Sequence, residues 1–336
     1  MNTDRVLMAH GSGGLMSQQL IDQVFKKAWN NSYLAPMMDG ALFDVPAGKM
    51  AMSTDSFVIT PIFFPGGDIG KLAICGTVND LIACGATPLY LSTAFIIEEG
   101  LLLSDLEKLA SSMAATAQKV GVKLVTGDTK VVEKGSADGI FINTTGIGII
   151  PSGIDYRPTR IEPGDKVIVT GSMGDHGLAI LAQREGLSFS TPAVSDCAPL
   201  YQIGRTLQRY GGKVRCMRDP TRGGLATVLN ELAGQSGQGI LIREKDIPVS
   251  PVVQGACDML GLDPLYMANE GKMVIFTSSG KAQEILTNLR VLPEAKDAAI
   301  IGEVIPEPRN MVLIETELGA QRIIGMLEGE HVPRIC

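Results

Sequence analysis

Histidine is scarce, with three in 336 residues: His10, His176 and His331. A histidine-rich zinc centre is thereby excluded, because zinc needs several nitrogen or sulfur ligands converging on it. Aromatic residues make up 5% of the chain, with one tryptophan, so stacking on bases or sugars is a poor expectation. No basic run occurs, and 36 acidic against 29 basic side chains give a net charge of −7. That balance argues against a nucleic-acid or anionic-membrane surface. The six cysteines, at 75, 84, 197, 216, 257 and 336, form no Cys-x-x-Cys pair. Wide spacing in a chain this long fits reduced thiols rather than a disulfide framework. The N-terminus lacks the basic and apolar regions of a secretory signal. The segment Leu72 to Ile97 carries one charge, yet Asn79, Asp80, glycines and Pro88 interrupt it. It is expected to be a buried helix, turn and strand, not a membrane span. A cytoplasmic location is expected.

Glycine is in excess, 39 residues against a usual level of roughly 7%. Many backbone positions must turn sharply or approach a ligand closely. The length suggests about two domains. Helices are expected over Gly13–Asn30, Asp68–Cys84 and Ser104–Val120, the last with Ser104 and Glu107 at capping-box spacing. Strands are expected over Lys49–Ile59, Pro88–Ile97, Val122–Val132 and Gly139–Ile150. Pro151, Pro158 and Pro163 mark a boundary. The second half reads as helices near 175–184, 196–210, 221–236 and 250–260, with strands near 166–170, 213–217, 239–243, 272–277 and 298–304. This order implies α/β or α+β mixed sheets. The expected division is 1–155, 156–310 and a C-terminal segment 311–336 ending in a mobile tail.

Five motifs carry chemistry. His10-Gly11-Ser12-Gly13-Gly14 precedes a helix; its amides suit a phosphate, or equally a plain helix-start turn. Gly66-Gly67-Asp68-Ile69-Gly70-Lys71-Leu72 approaches a P-loop but is one residue short, with Leu72 where a hydroxyl should bind magnesium. Lys71 then reaches a phosphate or caps a surface helix. Asp55, Asp80 and Asp128 are isolated acids in apolar or glycine-rich surroundings. A buried carboxylate needs a partner or a metal, and three together suit magnesium beside phosphates; three unrelated caps are the alternative. Glu270, in Ala268-Asn269-Glu270-Gly271-Lys272, is a general base or part of a turn before a strand. Asp219-Pro220-Thr221-Arg222-Gly223-Gly224 can bind an anion through Arg222 or simply cap a helix. Cys336 closes the chain, a thiol on a segment without periodicity.

Taken together, these motifs resemble the hydrogenase-maturation carbamoyl dehydratases of the aminoimidazole ribonucleotide synthetase superfamily. Ser53-Thr54-Asp55-Ser56, Phe63-Phe64-Pro65-Gly66-Gly67-Asp68-Ile69-Gly70-Lys71-Leu72-Ala73, Thr126-Gly127-Asp128-Thr129-Lys130 and the final Pro333-Arg334-Ile335-Cys336 carry the resemblance, which spans nearly the whole chain. The last element is its most specific. Pro220 stands where alanine is commoner.

The resemblance implies a two-domain α/β homodimer that binds ATP and magnesium in the N-terminal domain near the dimer interface. It implies magnesium on Asp55, Asp80 and Asp128, and phosphate charge neutralised by Lys71 and the Gly11, Ser12, Gly13 and Gly14 amides. It also implies that Asn79, Thr126 and Gly127 line the same nucleotide site. Cys336 would receive a carbamoyl group from a carbamoyltransferase and carry it through ATP-driven loss of water to a thiocyanate. The cyanide would pass to iron on a scaffold complex building the nickel–iron centre. Glu270 is the implied base, Lys130 its electrostatic partner and His10 the alternative base. Other readings are a superfamily small-molecule kinase, a selenophosphate synthetase (which would want a reactive cysteine near the N-terminus, whereas the first here is Cys75) and a non-enzymatic thiol carrier.

Overall fold

The computed structural model describes residues 4–12, 14–36, 40–44, 46–328 and 335. The N-terminal half runs α1 (Gly14–Leu20), β1 (Lys49–Phe57), β2 (Phe63–Phe64), β3 (Gly67–Asp68), α2 (Ile69–Ala83), β4 (Thr87–Glu98), α3 (Leu103–Val120), β5 (Lys123–Val132) and β6 (Ile140–Ile150). A π-helical turn, Ile21–Lys26, extends α1. The C-terminal half runs β7 (Lys166–Val169), α4 (Asp175–Glu185), α5 (Tyr201–Gln208), β8 (Val214–Arg218), α6 (Gly224–Ser236), β9 (Gly239–Arg243), α7 (Pro251–Leu260), β10 (Val274–Thr277), α8 (Ser279–Leu289), β11 (Ala299–Ile305), β12 (Val312–Glu315) and β13 (Gln321–Ile324).

Each half is built on a mixed sheet, ordered β1-β6-β4-β5 and β13-β12-β9-β11-β7-β10-β8. The first sheet alternates cleanly. On β1, Ala51, Ser53, Asp55 and Phe57 turn inward, while Met50, Met52, Thr54 and Ser56 remain exposed. The period of two puts the inward set against α2 and leaves the other face uncovered.

Helix α2 explains why its segment looks membrane-like. Twelve of its 15 residues are buried, because β1 and β6 cover one side and α5 and β8 another. A helix covered all round gains from apolar residues at every position. The main core is therefore continuous between the halves, joining Ile74, Val78 and Leu91 to Leu200, Ile203, Met217 and Ile275. No helix among the described residues is long and apolar enough to cross a membrane.

Some expectations need correction. Helix α3 starts at Leu103, its N-cap is Leu102, and no side chain caps it, so the Ser104–Glu107 box does not form. The helix expected over 196–210 begins only at Tyr201; residues 191–200 form neither helix nor strand, and Ser195 and Asp196 bond Pro65, Glu270 and Gly271 instead. Helix α8 and strands β12 and β13 were absent from the expected elements; α8 opens on Ser-Gly, and β12 and β13 are four-residue strands at one end of the second sheet, β13 at its edge. The expected mobile tail lies mostly outside the described residues, but Ile335 is buried and forms an antiparallel bridge with Ile59.

Candidate active site

Two cavities divide the predicted site residues. The larger, about 770 Å³, lies between the halves and is lined by Asp55, Asp80, Cys84, Asp219, Arg222 and Glu270, among others. The smaller, about 360 Å³, lies beside β5 and is lined by His10, Gly11, Thr126, Gly127, Asp128 and Lys130, with an apolar wall that includes Phe25 and Trp29.

Strand register explains the division. Asp55 lies opposite Thr144 on β6, Thr144 opposite Thr93 on β4, and Thr93 opposite Gly127 on β5. Asp128 belongs to the next row, with Ala94, Asn143 and Ser56. Asp55 and Asp128 therefore sit three strands apart, about 14 Å, on opposite faces. They cannot share one ion within one chain, and no group of three metal-competent side chains occurs among the described residues. Asp128 and Lys130 share the uncovered face, since residues two apart on a strand point the same way.

Asp55 and Asp80 do meet. Burial, then the charge and hydrogen bond of Asp80, raise the Asp55 carboxyl to about 6. Ser53 Oγ donates to Asp80 Oδ2 at 2.5 Å, and Thr77 Oγ1 donates to Asp55 Oδ2 at 3.4 Å. Asp219 is raised to about 7 by burial and by Asp80 and Asp55. Two adjoining carboxyls with no lysine or arginine bonded to them form an oxygen donor set of the kind magnesium takes. The site therefore fits a hard divalent cation at Asp55 and Asp80, with Asp219 nearby.

Glu270 is nearly fully buried, and its Oε1 has no hydrogen-bond partner among the described residues. Burial raises its pKa well above the carboxyl range, with Cys197, Asp219, Asp196 and Asp55 adding to the effect. Burial thus favours the protonated form of the carboxyl expected to act as the base. Its backbone is tightly fixed. Asp196 accepts from the Glu270 and Gly271 amides at 3.1 and 3.2 Å. A side chain at Gly271 would stand 1.9 Å from the Asp196 carbonyl oxygen. Asn269 accepts from Gly174 N at 2.7 Å and donates to the Pro220 carbonyl at 3.0 Å. The motif is thus clamped from three sides, with the Glu270 carboxyl left over.

Several predicted residues do other work. Asn79, expected at the nucleotide, is buried with its amide committed: it accepts from Leu200 N at 2.8 Å and donates to the Ala198 and Glu270 carbonyls at 3.1 and 3.4 Å. It braces α2 against the C-terminal half. Lys71 Nζ donates to the Gly66 carbonyl at 2.7 Å and lines neither cavity. Gly11 is required by close packing, since a Cβ there would lie 2.4 Å from Val131 N. Ser12 Oγ donates to the Met8 carbonyl. Gly14 adopts a left-handed conformation at the start of α1. His10 is buried; Nδ1 accepts from Leu7 N at 2.9 Å and Nε2 has no partner. Gly13 and Cys336 lie outside the described residues.

Sequence reasoning passed over Asp219 as an acid, and over Asp196, Ser195 and His176. Asp219 had a signal, the Arg-Gly-Gly turn after it. Gly223 and Gly224 both have left-handed backbones, and a side chain on Gly224 would strike the Leu265 and Met267 carbonyls. This tight turn places Arg222 at the cavity. Asp196 had no local signal, because its partners lie 74 and 75 residues away.

The two halves match, in order, the N-terminal domain of AIR synthase related protein over residues 37–150 and its C-terminal domain over residues 162–315. These define a two-domain AIR synthase related protein. The carbamoyl dehydratase HypE of Bradyrhizobium diazoefficiens is 49% identical over 330 residues, covering 98% of this chain and 95% of the relative. A crystal structure of the hydrogenase maturation protein HypE in complex with ATP superposes with a TM-score of 0.95 at 47% identity, covering 98% of this chain and 99% of that one. HypE in a HypE–HypF complex gives 0.82 at 48% identity, covering 92% and 99%. The chain belongs to the HypE carbamoyl dehydratase family.

Proposed function

We propose that this chain is an ATP-dependent carbamoyl dehydratase, converting an S-carbamoyl group on Cys336 into S-cyanide for the iron of nickel–iron hydrogenase. The observation that carries the chemistry is Glu270: a buried carboxyl, one oxygen unpartnered, in the cavity that also holds Asp55 and Asp80. Its relative was crystallised with ATP, and the same ligand suits this cavity.

The balance is R–S–C(=O)–NH2 plus ATP giving R–S–C≡N, ADP and phosphate. The carbamoyl oxygen takes the γ-phosphoryl group and leaves as phosphate. The nitrogen loses two protons, one finally held by phosphate and one released. Magnesium, when bound, supplies positive charge against the phosphate oxygens. Asp55 and Asp80 would hold it. Arg222 adds a cation at the cavity mouth. Glu270 Oε1 is the free atom to which a substrate N–H can bond. A carboxyl with a raised pKa is the stronger base once ionised, so Glu270 suits removal of the nitrogen proton.

Asp128, Lys130 and His10 enter through a second copy. The uncovered face of the first sheet carries Met52, 72% exposed, and Ile96, 44% exposed, with Ile147 opposite Met52 and Phe141 opposite Ile96. An apolar face that ends at edge strand β1 wants cover. A second copy is the occupant that also brings one chain's β5 cavity toward the other's acids. The HypE–HypF complex supports a carbamoyltransferase as donor. An iron-carrying scaffold is the chemically required cyanide acceptor.

Intact mass tests the reading. After incubation with a competent carbamoyl donor, the C-terminal peptide should gain one carbamoyl group; magnesium–ATP should then remove one water. Glu270→Gln should load normally and dehydrate roughly 100-fold or more slowly, in the range of a lost general base. An unchanged mass with a donor verified on an authentic dehydratase would end the proposal.

A further inference from the structure

His176 is fully buried near the start of α4 and makes two hydrogen bonds through its ring. Nε2 is 2.7 Å from the Ile335 carbonyl oxygen, and Nδ1 is 2.7 Å from Ser195 Oγ. A carbonyl oxygen only accepts, so Nε2 carries the proton. Burial lowers the His176 pKa and keeps the ring neutral, so Nδ1 accepts from the Ser195 hydroxyl. Ser195 Oγ in turn accepts from Cys197 N at 3.0 Å. The edge of the Phe64 ring packs against the imidazole, with centroids 5.6 Å apart and planes at 87°. Every polar atom in the chain from Cys197 N to the Ile335 carbonyl is thereby assigned.

The segment Ser195-Asp196-Cys197 also reaches the acid. Ser195 N donates to the Pro65 carbonyl at 2.8 Å, Asp196 clamps the Glu270 and Gly271 amides, and the Cys197 thiol lies near Glu270. One short segment holds the seat of the residue before Cys336 and the backbone of Glu270.

We propose that His176 is a positioning residue for the dehydration: its Nε2–H seats the tail through the Ile335 carbonyl, and the 195–197 segment keeps that seat in register with Glu270. The proposal rests on the dehydratase reading for its consequence in turnover, and on geometry alone for the seat.

Amide hydrogen exchange on the full-length chain tests the seat. His176→Phe keeps the ring volume and removes the donor; protection at Ile335 should fall about tenfold, the value of one hydrogen bond. His176→Gln, whose amide nitrogen can reach the Nε2 position, should restore most of it. In the pre-carbamoylated chain mixed with magnesium–ATP, His176→Phe should slow single-turnover dehydration by about tenfold while carbamoyl loading stays at the wild-type level. Unchanged exchange at Ile335 in folded His176→Phe would overturn the proposal, as would identical behaviour of the Phe and Gln variants. Should His176→Phe fail to fold, Ser195→Ala decides, because it frees the ring while keeping the donor: partial loss of protection supports the seat and no loss overturns it. A wild-type chain that never dehydrates would instead sink the dehydratase reading and leave the exchange result standing.

Discussion

Glu270, Asp55 and Asp219 are three acids whose pKa values all move up, chiefly because burial disfavours their charged forms. An acid with a raised folded-state pKa binds more protons folded than unfolded. The stability it contributes is complete below the unfolded pKa and is lost as pH rises through the folded value. For Asp55 that window runs from its ordinary value of 3.8 to about 6. Asp55→Asn should therefore raise the melting temperature at pH 8 and have little effect at pH 4. Magnesium–ATP, which needs the ionised carboxylate, should stabilise the wild type at pH 8 more than the variant. Thermal scans at both pH values check this, and an equal gain at pH 4 and pH 8 would exclude charge repulsion as its source. Of the other thiols, Cys84 is exposed while Cys75, Cys197, Cys216 and Cys257 are buried, and burial raises Cys216 to about 12, which makes it a poor nucleophile.

Helix α2 shows what one element can require of another. Asn79 is its chief polar tie to the C-terminal half, and three backbone groups depend on its amide. Asn79→Ala leaves those groups buried without partners and should cost roughly 2–4 kcal/mol, read from denaturant unfolding. Nucleotide affinity per folded molecule should hold, which separates the brace from the ligand role the sequence suggested. The helix itself was legible, since its glycine-bounded apolar run has the right length. Asn79 was misread because a polar residue in an apolar helix signals only that it needs a partner, not whether the partner is backbone or ligand. Asp55 and Asp80 were legible for the same reason, each costly to bury alone. Asp128 was grouped with them on composition, and strand register separates it. Register and sheet order arise from pairings between distant strands, which local spacing does not encode. His176 was noted only as one of three histidines, because its partners are 19 and 159 residues away.

For the whole molecule, the second copy proposed on the uncovered sheet face would make association part of function. Met52→Arg places a charge on that face, at its β1 edge. It should shift the chain from dimer to monomer in sedimentation and weaken ATP binding at least tenfold, since a buried unpaired charge costs several kcal/mol. A monomeric variant with full nucleotide affinity would mean that one chain holds a complete site.

The continuous core also sets a schedule for synthesis. The carbonyl of Ala198, part of what covers α2, lies 119 residues beyond the Asn79 amide it bonds. At about 5–20 residues per second, the ribosome exposes this apolar helix for roughly 6–24 seconds before its cover exists. During that interval the nascent chain presents what a chaperone or a membrane-targeting factor selects. The N-terminal half, released alone, would remain in that condition permanently.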